Sequence, residues 1–245
     1  MSSLQKCDEL KMELDELRPI EQKHIGQIRD FWQIGLAYSS NAIEGNTLTE
    51  IETKVILEDG ITIGGKSVLE HMEAVGHKDA LTYLFKVYKE GYSEKEILEL
   101  HKLFYYRIDS SNAGSYRKEN VIITGTDYEP PRSEEVGRLM ENFELELSSE
   151  LHPIEHASKA HQKLVNIHPF VDGNGRTARL LMNLILLREG FPIVSIPPIW
   201  RAKYIKAVSV GNWGDNSLFL KFMCDVTEQN LIDYLRLLRR LKGSP

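Results

Sequence analysis

Apolar positions recur at helical spacing along most of the chain. Leu4, Cys7, Leu10, Met12, Leu14 and Leu17 stand among charges and predict a helix over 4–17. Ile25, Ile28, Phe31, Trp32 and Leu36 predict a second over 25–40, with Pro19 separating the two. The same spacing predicts helices over 68–91, 93–106, 134–147, 154–167, 177–189, 199–211 and 217–241. Their ends carry recognisable chemistry: Ser93 with Glu96 reads as a capping box, Ser133 precedes Glu134 and Glu135, and Gly91 and Gly190 sit at helix stops. Only Val121, Ile122, Ile123 and Thr124 read as a strand, and Gly125-Thr126-Asp127 with Pro130-Pro131 suggests a short hairpin. The expected class is therefore mainly α, a helical bundle with a short β-hairpin flap. One helix stands out. After Arg176, Leu180, Leu181, Met182, Leu184, Ile185, Leu186 and Leu187 make it apolar nearly all round, so it should run through the middle of the bundle.

Composition narrows the class without changing it. The 245 residues can bury a real core as one domain or a domain with an appendage. No repeat or Gly/Ser linker divides them, so residues 1–60 are expected as an N-terminal helical region joined to a core over 61–245 in one compact unit. A formal charge of −6 argues against a protein that coats nucleic acid or an anionic membrane. The most apolar stretches, around Ile193 to Ile199 and beside Asn183, fall far short of the roughly 18 residues that span a bilayer. The first residues are charge-rich and lack a signal-peptide core, and Cys7 and Cys224 are too few and too far apart in sequence for a disulfide framework. A cytoplasmic address is expected, without nucleic-acid or membrane partners.

The candidate chemistry is concentrated in residues 168 to 179, His-Pro-Phe-Val-Asp-Gly-Asn-Gly-Arg-Thr-Ala-Arg. Gly173 and Gly175 free the backbone to present consecutive N–H groups, and the helix that follows aims its positive end at the same spot. Arg176 and Arg179, three apart in the first turn, can fork onto phosphate oxygens. Asp172 is a hard oxygen ligand suited to Mg²⁺, and His168 can accept a proton near neutral pH. Phosphoryl or nucleotidyl transfer needs a metal, a cradle for developing charge and a base. Four histidines, His152, His156, His161 and His168, crowd together, but no H-E-x-x-H spacing supports a metal cluster, and His161 reads as a core residue.

This segment resembles, position for position, the signature H-x-F-x-[D/E]-G-N-G-R-x-x-R of the Fic (filamentation induced by cAMP) family. The resemblance implies an all-α core that binds ATP with Mg²⁺ and transfers AMP to a Ser, Thr or Tyr hydroxyl of a protein. It makes His168 the general base, Phe170 a buried anchor and Asp172 the metal ligand. Gly173, Asn174 and Gly175 become the anion hole, Arg176 and Arg179 hold the β- and γ-phosphates, and Thr177 and Ala178 complete the nucleotide segment. Arg176, where related kinases have Lys, places the chain with the nucleotidyl-transferring branch. Gly114-Ser115-Tyr116-Arg117 and residues Val121, Ile122, Ile123 and Thr124 are similar to the family's flap, on which an extended protein substrate would dock by β-augmentation. Tyr204, Ile205 and Asn212 fall where the family lines its adenosine pocket. Many Fic proteins also pair through the core, so a homodimer is implied.

Ser40 and Glu44 lie i and i+4 on one helical face, and Gly45 can end that helix with the carboxylate at its tip. The segment resembles the family's inhibitory motif [S/T]-x-x-x-E-[G/N]. By that similarity Glu44 is expected to pair with Arg176, withdraw it from the γ-phosphate and hold the enzyme inactive; a second role, removal of AMP, is also open to it. Two alternatives stand beside the braked AMP transferase. One is a nucleotide-binding regulatory or interaction protein with little catalysis, the other a Fic-type transferase with a different phosphate-containing donor.

Overall fold

The computed structural model describes residues 3–143 and 151–242. Its elements are α1 (Ser3–Glu16), α2 (Gln22–Ile43), α3 (Glu50–Lys54), a π-helical turn (Val55–Asp59), α4 (Val68–Val87), α5 (Glu94–Tyr105) and α6 (Ser133–Glu141). After them come α7 (Pro153–Ile167), α8 (Asn174–Arg188), a 3-10 turn (Pro198–Trp200), α9 (Arg201–Gly211) and α10 (Ser217–Lys242).

The helix expected after Arg176 is the core. Leu180, Leu181, Met182, Leu184, Ile185 and Leu186 of α8 are all buried, with α7 packed along it and α5, α4 and α2 around the remaining faces. Burial on every side explains a sequence without a polar stripe. α4 and α5 pair closely, and α1 lies on α10, where the Cys7 thiol contacts the Cys224 carbonyl. Ile28, Trp32, Leu36 and Ala37 of α2 are buried too, so the N-terminal region packs into the same unit as the rest.

Several boundaries differ from expectation for local reasons. α4 and α3 begin at capping boxes, Ser67 with Glu70 and Thr49 with Glu52, whereas Ser93 of α5 donates its hydroxyl to Glu96 and caps no backbone N–H. Of the helix expected over 134–147, Ser133–Glu141 is helical with Asn142 as its C-cap, and residues 144–147 lie outside the described residues. The β-hairpin is not found: no strand occurs among the described residues, and Val121, Ile122, Ile123 and Thr124 form an irregular segment with Ile122 92% exposed. A strand needs a partner for its backbone groups, and among the described residues it has none.

Candidate active site

The end of α7 delivers the histidine of the signature. His168 caps α7 in the left-handed region, φ 50° and ψ 57°, and is the one non-glycine residue with positive φ among the described residues. Such backbone costs on the order of 1–3 kcal/mol and persists only where its surroundings hold it. Arg117 holds it here: its Nε donates to the His168 carbonyl at 2.8 Å, and its backbone N–H donates to the Pro169 carbonyl at 2.9 Å. The His168 Nδ1 lies 3.3 Å from the Val165 carbonyl, which suits an Nδ1–H donor and leaves Nε2 with a free lone pair. Burial lowers the imidazole's pKa, against the Val165 carbonyl, Asp172 and Glu44, so the ring is neutral and able to accept a proton at neutral pH.

The loop beyond it is closed by its own side chains. Asn174 accepts from the Phe170 N–H at 2.9 Å and donates to the Phe170 carbonyl at 2.8 Å. Phe170 is fully buried and stacks on His101 at a centroid distance of 3.7 Å. His101 Nδ1 accepts from the Gly114 N–H at 2.9 Å, which leaves its Nε2–H to donate to the Asp172 carbonyl at 3.0 Å. Burial pushes this imidazole down to about 4, so it stays neutral. The Asp172 carboxylate itself remains 58% exposed in its side chain.

Two glycines open the first turn of α8. Gly173 has φ 79°, and a Cβ there would press on Phe104 and His101. A Cβ on Gly175 would lie 2.6 Å from the Glu44 Oε1. The Glu44 carboxylate thus stands in front of the positive end of α8, where an anion is favoured.

The two arginines are divided between different partners. Buried Arg179 donates from Nε to the Ser40 hydroxyl at 3.0 Å, from Nη2 to the Ser40 carbonyl at 2.9 Å and to Glu44 Oε1 at 2.7 Å, and from Nη1 to the Tyr204 hydroxyl at 3.0 Å. Arg176 donates to Glu73 Oε1 of α4 at 2.5 Å, reaches Asp172 Oδ2 at 3.3 Å and lies over the Phe104 ring. The expected Glu44–Arg176 pair is therefore corrected to Glu44–Arg179. Residues three apart on a helix point about 60° apart, which directs Arg176 toward α4 and Arg179 toward α2. For Glu44, burial works upward on the carboxyl pKa, but Arg179, Arg176 and Arg201 outweigh it and the net shift is downward. Its side chain is still 37% exposed.

Other expected site residues lie farther in or farther out. Tyr204 is buried, its hydroxyl shared between Arg179 and His161 Nε2 at 2.9 Å; His161 is buried as expected and stacks on Phe219. Thr177 and Ala178 face the core, Asn212 accepts from Gln162 Nε2 at 3.0 Å, and Ile205 is exposed. Sequence reasoning missed Glu73 and His101, and it gave Arg117 only a place in the flap segment. A mid-helix glutamate and a histidine on an apolar helix face carry no motif, and only the fold brings them to the signature.

Residues 91–186 match the Fic/DOC family model. A solved structure titled Fic-1 (aa134 - 508) from C. elegans is 34% identical, with TM-score 0.87, covering 99% of this chain and 73% of that one. The chain belongs to the Fic/DOC family. Sequences named Protein adenylyltransferase Fic from Drosophila melanogaster and Drosophila sechellia are each 44% identical over 204 residues, 81% of this chain. The chain spans about two-fifths of the length of these curated relatives. A Fic domain containing signaling protein from Bacteroides thetaiotaomicron shares the fold at TM-score 0.84 and 24% identity, covering 100% of this chain and 98% of that one. No helix among the described residues is long and apolar enough to cross a membrane.

Proposed function

We propose that the chain is a protein adenylyltransferase that moves AMP from ATP to a Ser, Thr or Tyr hydroxyl of a protein and is restrained by its own Glu44. The observation that carries this reading is the Glu44 carboxylate bonded to Arg179 at 2.7 Å directly before Gly175 at the start of α8. A carboxylate occupies ground suited to phosphate and engages a guanidinium that phosphate oxygens would otherwise use.

The residues fit a triphosphate. Arg176 Nε is a buried donor without a partner, and the first turn of α8 presents its backbone N–H groups beyond Gly173. They also fit Mg²⁺ held jointly with substrate. No cluster of three acidic, histidine or cysteine side chains is gathered to cage an ion among the described residues, and one accessible carboxylate, Asp172, completed by phosphate oxygens and water is an ordinary Mg²⁺ arrangement. The ion would supply charge neutralisation at the phosphates.

In the reaction, the acceptor hydroxyl oxygen bonds the α-phosphorus, the bond to the β-phosphate oxygen breaks, and pyrophosphate leaves. His168 takes the hydroxyl proton at Nε2, while Val165 fixes its tautomer through Nδ1. The first turn of α8 stabilises the growing negative charge. Arg117 keeps the base oriented through the His168 carbonyl. The exposed 121–124 segment, with free backbone groups and Ile122 outermost, is our choice for docking the protein substrate. Glu44 is also our choice for orienting the water that removes AMP. Two buried, unpaired thiols, Cys7 and Cys224, support a reducing cytoplasmic setting.

The test is incubation of the protein with α-labelled ATP and Mg²⁺. Glu44→Gly should label itself or added proteins faster than wild type, and Glu44→Gly with His168→Ala should not. Equal labelling by wild type and Glu44→Gly rejects the restraint, and labelling that survives His168→Ala rejects the base.

A further inference from the structure

A second cavity, of about 770 Å³, lies at the opposite ends of α2 and α8 from the signature. It is bounded by residues 18–20, the first half of α2, the end of α4, residues 187, 188 and 190–193, and Tyr234 of α10. Its volume falls within the roughly 300–1,000 Å³ of small-molecule sites. The floor is apolar, with Ile28, Trp32, Phe85, Phe191 and Tyr234. The rim carries Arg18, Arg29, Lys89 and Arg188, and no Asp or Glu lines it, although the whole chain is net acidic.

The rim cations differ in what they already hold. Arg18 pairs with Asp15 at 2.8 Å and donates to the Gly190 carbonyl at 2.6 Å; Arg188 lies 3.9 Å from Glu189. Among the described residues, neither Arg29 nor Lys89 has a carboxylate partner, and they lean over Phe85 and Tyr88 at 5.2 and 5.8 Å. The hydroxyls of Tyr88 and Tyr234 are not hydrogen-bonded to any described residue, and Arg18 and Tyr88 both lie near Tyr234 along the same wall. An apolar floor favours a hydrocarbon or aryl body, while unpaired cations and phenol donors at the mouth favour a single anionic head that keeps contact with water. Inorganic phosphate lacks the body, and a cationic amphiphile opposes the field.

We propose that this cavity binds a small monocarboxylate with an apolar body, of the medium-chain fatty acid type, its head at Arg29 and Lys89 and its tail against Trp32 and Phe191. The inference is independent of the transferase reading, because it uses none of the signature residues.

Calorimetric titration of the wild-type chain with decanoate, decanamide and decyltrimethylammonium tests it. Decanoate should bind saturably at one site, decanamide at least tenfold more weakly, and the cation not at all. The Arg29→Glu, Lys89→Glu double variant, whose changes are on the exposed rim, should keep the wild-type melting temperature and bind decanoate at least tenfold more weakly. Ile25→Trp should block binding by filling the cavity. Failure of decanoate to saturate the wild type, equal binding of decanoate and decanamide, or unchanged affinity in the folded double variant would each overturn the proposal.

Discussion

The signature site and the basic cavity are built on the same two helices, at opposite ends. α2 lines the cavity with Ile28, Arg29 and Trp32 and reaches the site with Ser40 and Glu44; α8 begins at the site and ends at the cavity with Leu187 and Arg188. Trp32 and Glu44 are about 18 Å apart along the helix by its rise per residue. At the site each signature guanidinium meets a carboxylate: Arg176 meets Glu73 and Asp172, and Arg179 meets Glu44. At the cavity Arg29 and Lys89 meet aromatic faces. The difference is one of desolvation. A buried guanidinium needs acceptors for its N–H groups, because losing water costs several kcal/mol, and at the site carboxylates are among them, whereas a rim cation keeps its water and needs none. Charges at the site are thus committed within the protein, whereas Arg29 and Lys89 at the cavity remain available to a ligand.

The contrast can be broken most severely at the base. In the Glu44→Gly background, His168→Ala should lower AMP labelling by about 10²–10⁴-fold, read from initial rates with labelled ATP. Next in size is the restraint. Loss of the charge-assisted Glu44–Arg179 bond, worth about 1.5–3 kcal/mol, should raise labelling by about ten- to a hundredfold in Glu44→Gly. Glu73→Gln, which leaves Arg176 without its α4 carboxylate, should alter the apparent affinity for ATP while Glu44→Gly alone leaves the Arg176–Glu73 pair in place; titration of nucleotide separates the two arginines.

The apolar middle of α8, shared by both regions, offers a stability test. Leu181→Ala should cost about 2–5 kcal/mol in denaturant unfolding, since its site is fully buried. Acid should weaken the site end through its buried imidazoles. Burial holds His101 at about 4, and His77 and His161 at about 3, below the ordinary imidazole value of 6.5. Between those values the unfolded chain binds protons that the folded one does not, so stability present above pH 6.5 should be lost as pH falls toward 4. His101→Gln should flatten that part of the melting profile. The smallest effect belongs to the segment outside both regions. Ile122→Lys, at a position 92% exposed, should shift stability by less than about 0.5 kcal/mol while slowing labelling of an added protein substrate.

Much is legible in the sequence because it depends on neighbours along the chain. The burial of α8 follows from its all-round apolar run, and the turn that opens it from Gly173 and Gly175 ahead of a helix. The pairing of Ser40 and Glu44 on one face was legible too, since helical periodicity sets it. The strand over 121–124 was misread because β-rich composition describes a residue's preference and not the presence of a partner strand.

Tertiary structure alone decided which carboxylate meets which arginine. Arg176 and Arg179 are equivalent charges on one helical turn, and only the packing of α4 on one side and α2 on the other gives Glu73 to the first and Glu44 to the second. It alone brought His101 and Arg117 to the loop, and it alone gathered basic residues from the α1–α2 connector, α2, the end of α4 and the end of α8 around one acid-free cavity. Local periodicity fixes which face a side chain occupies; what it touches is set by contacts between segments far apart in the chain, which no spacing records.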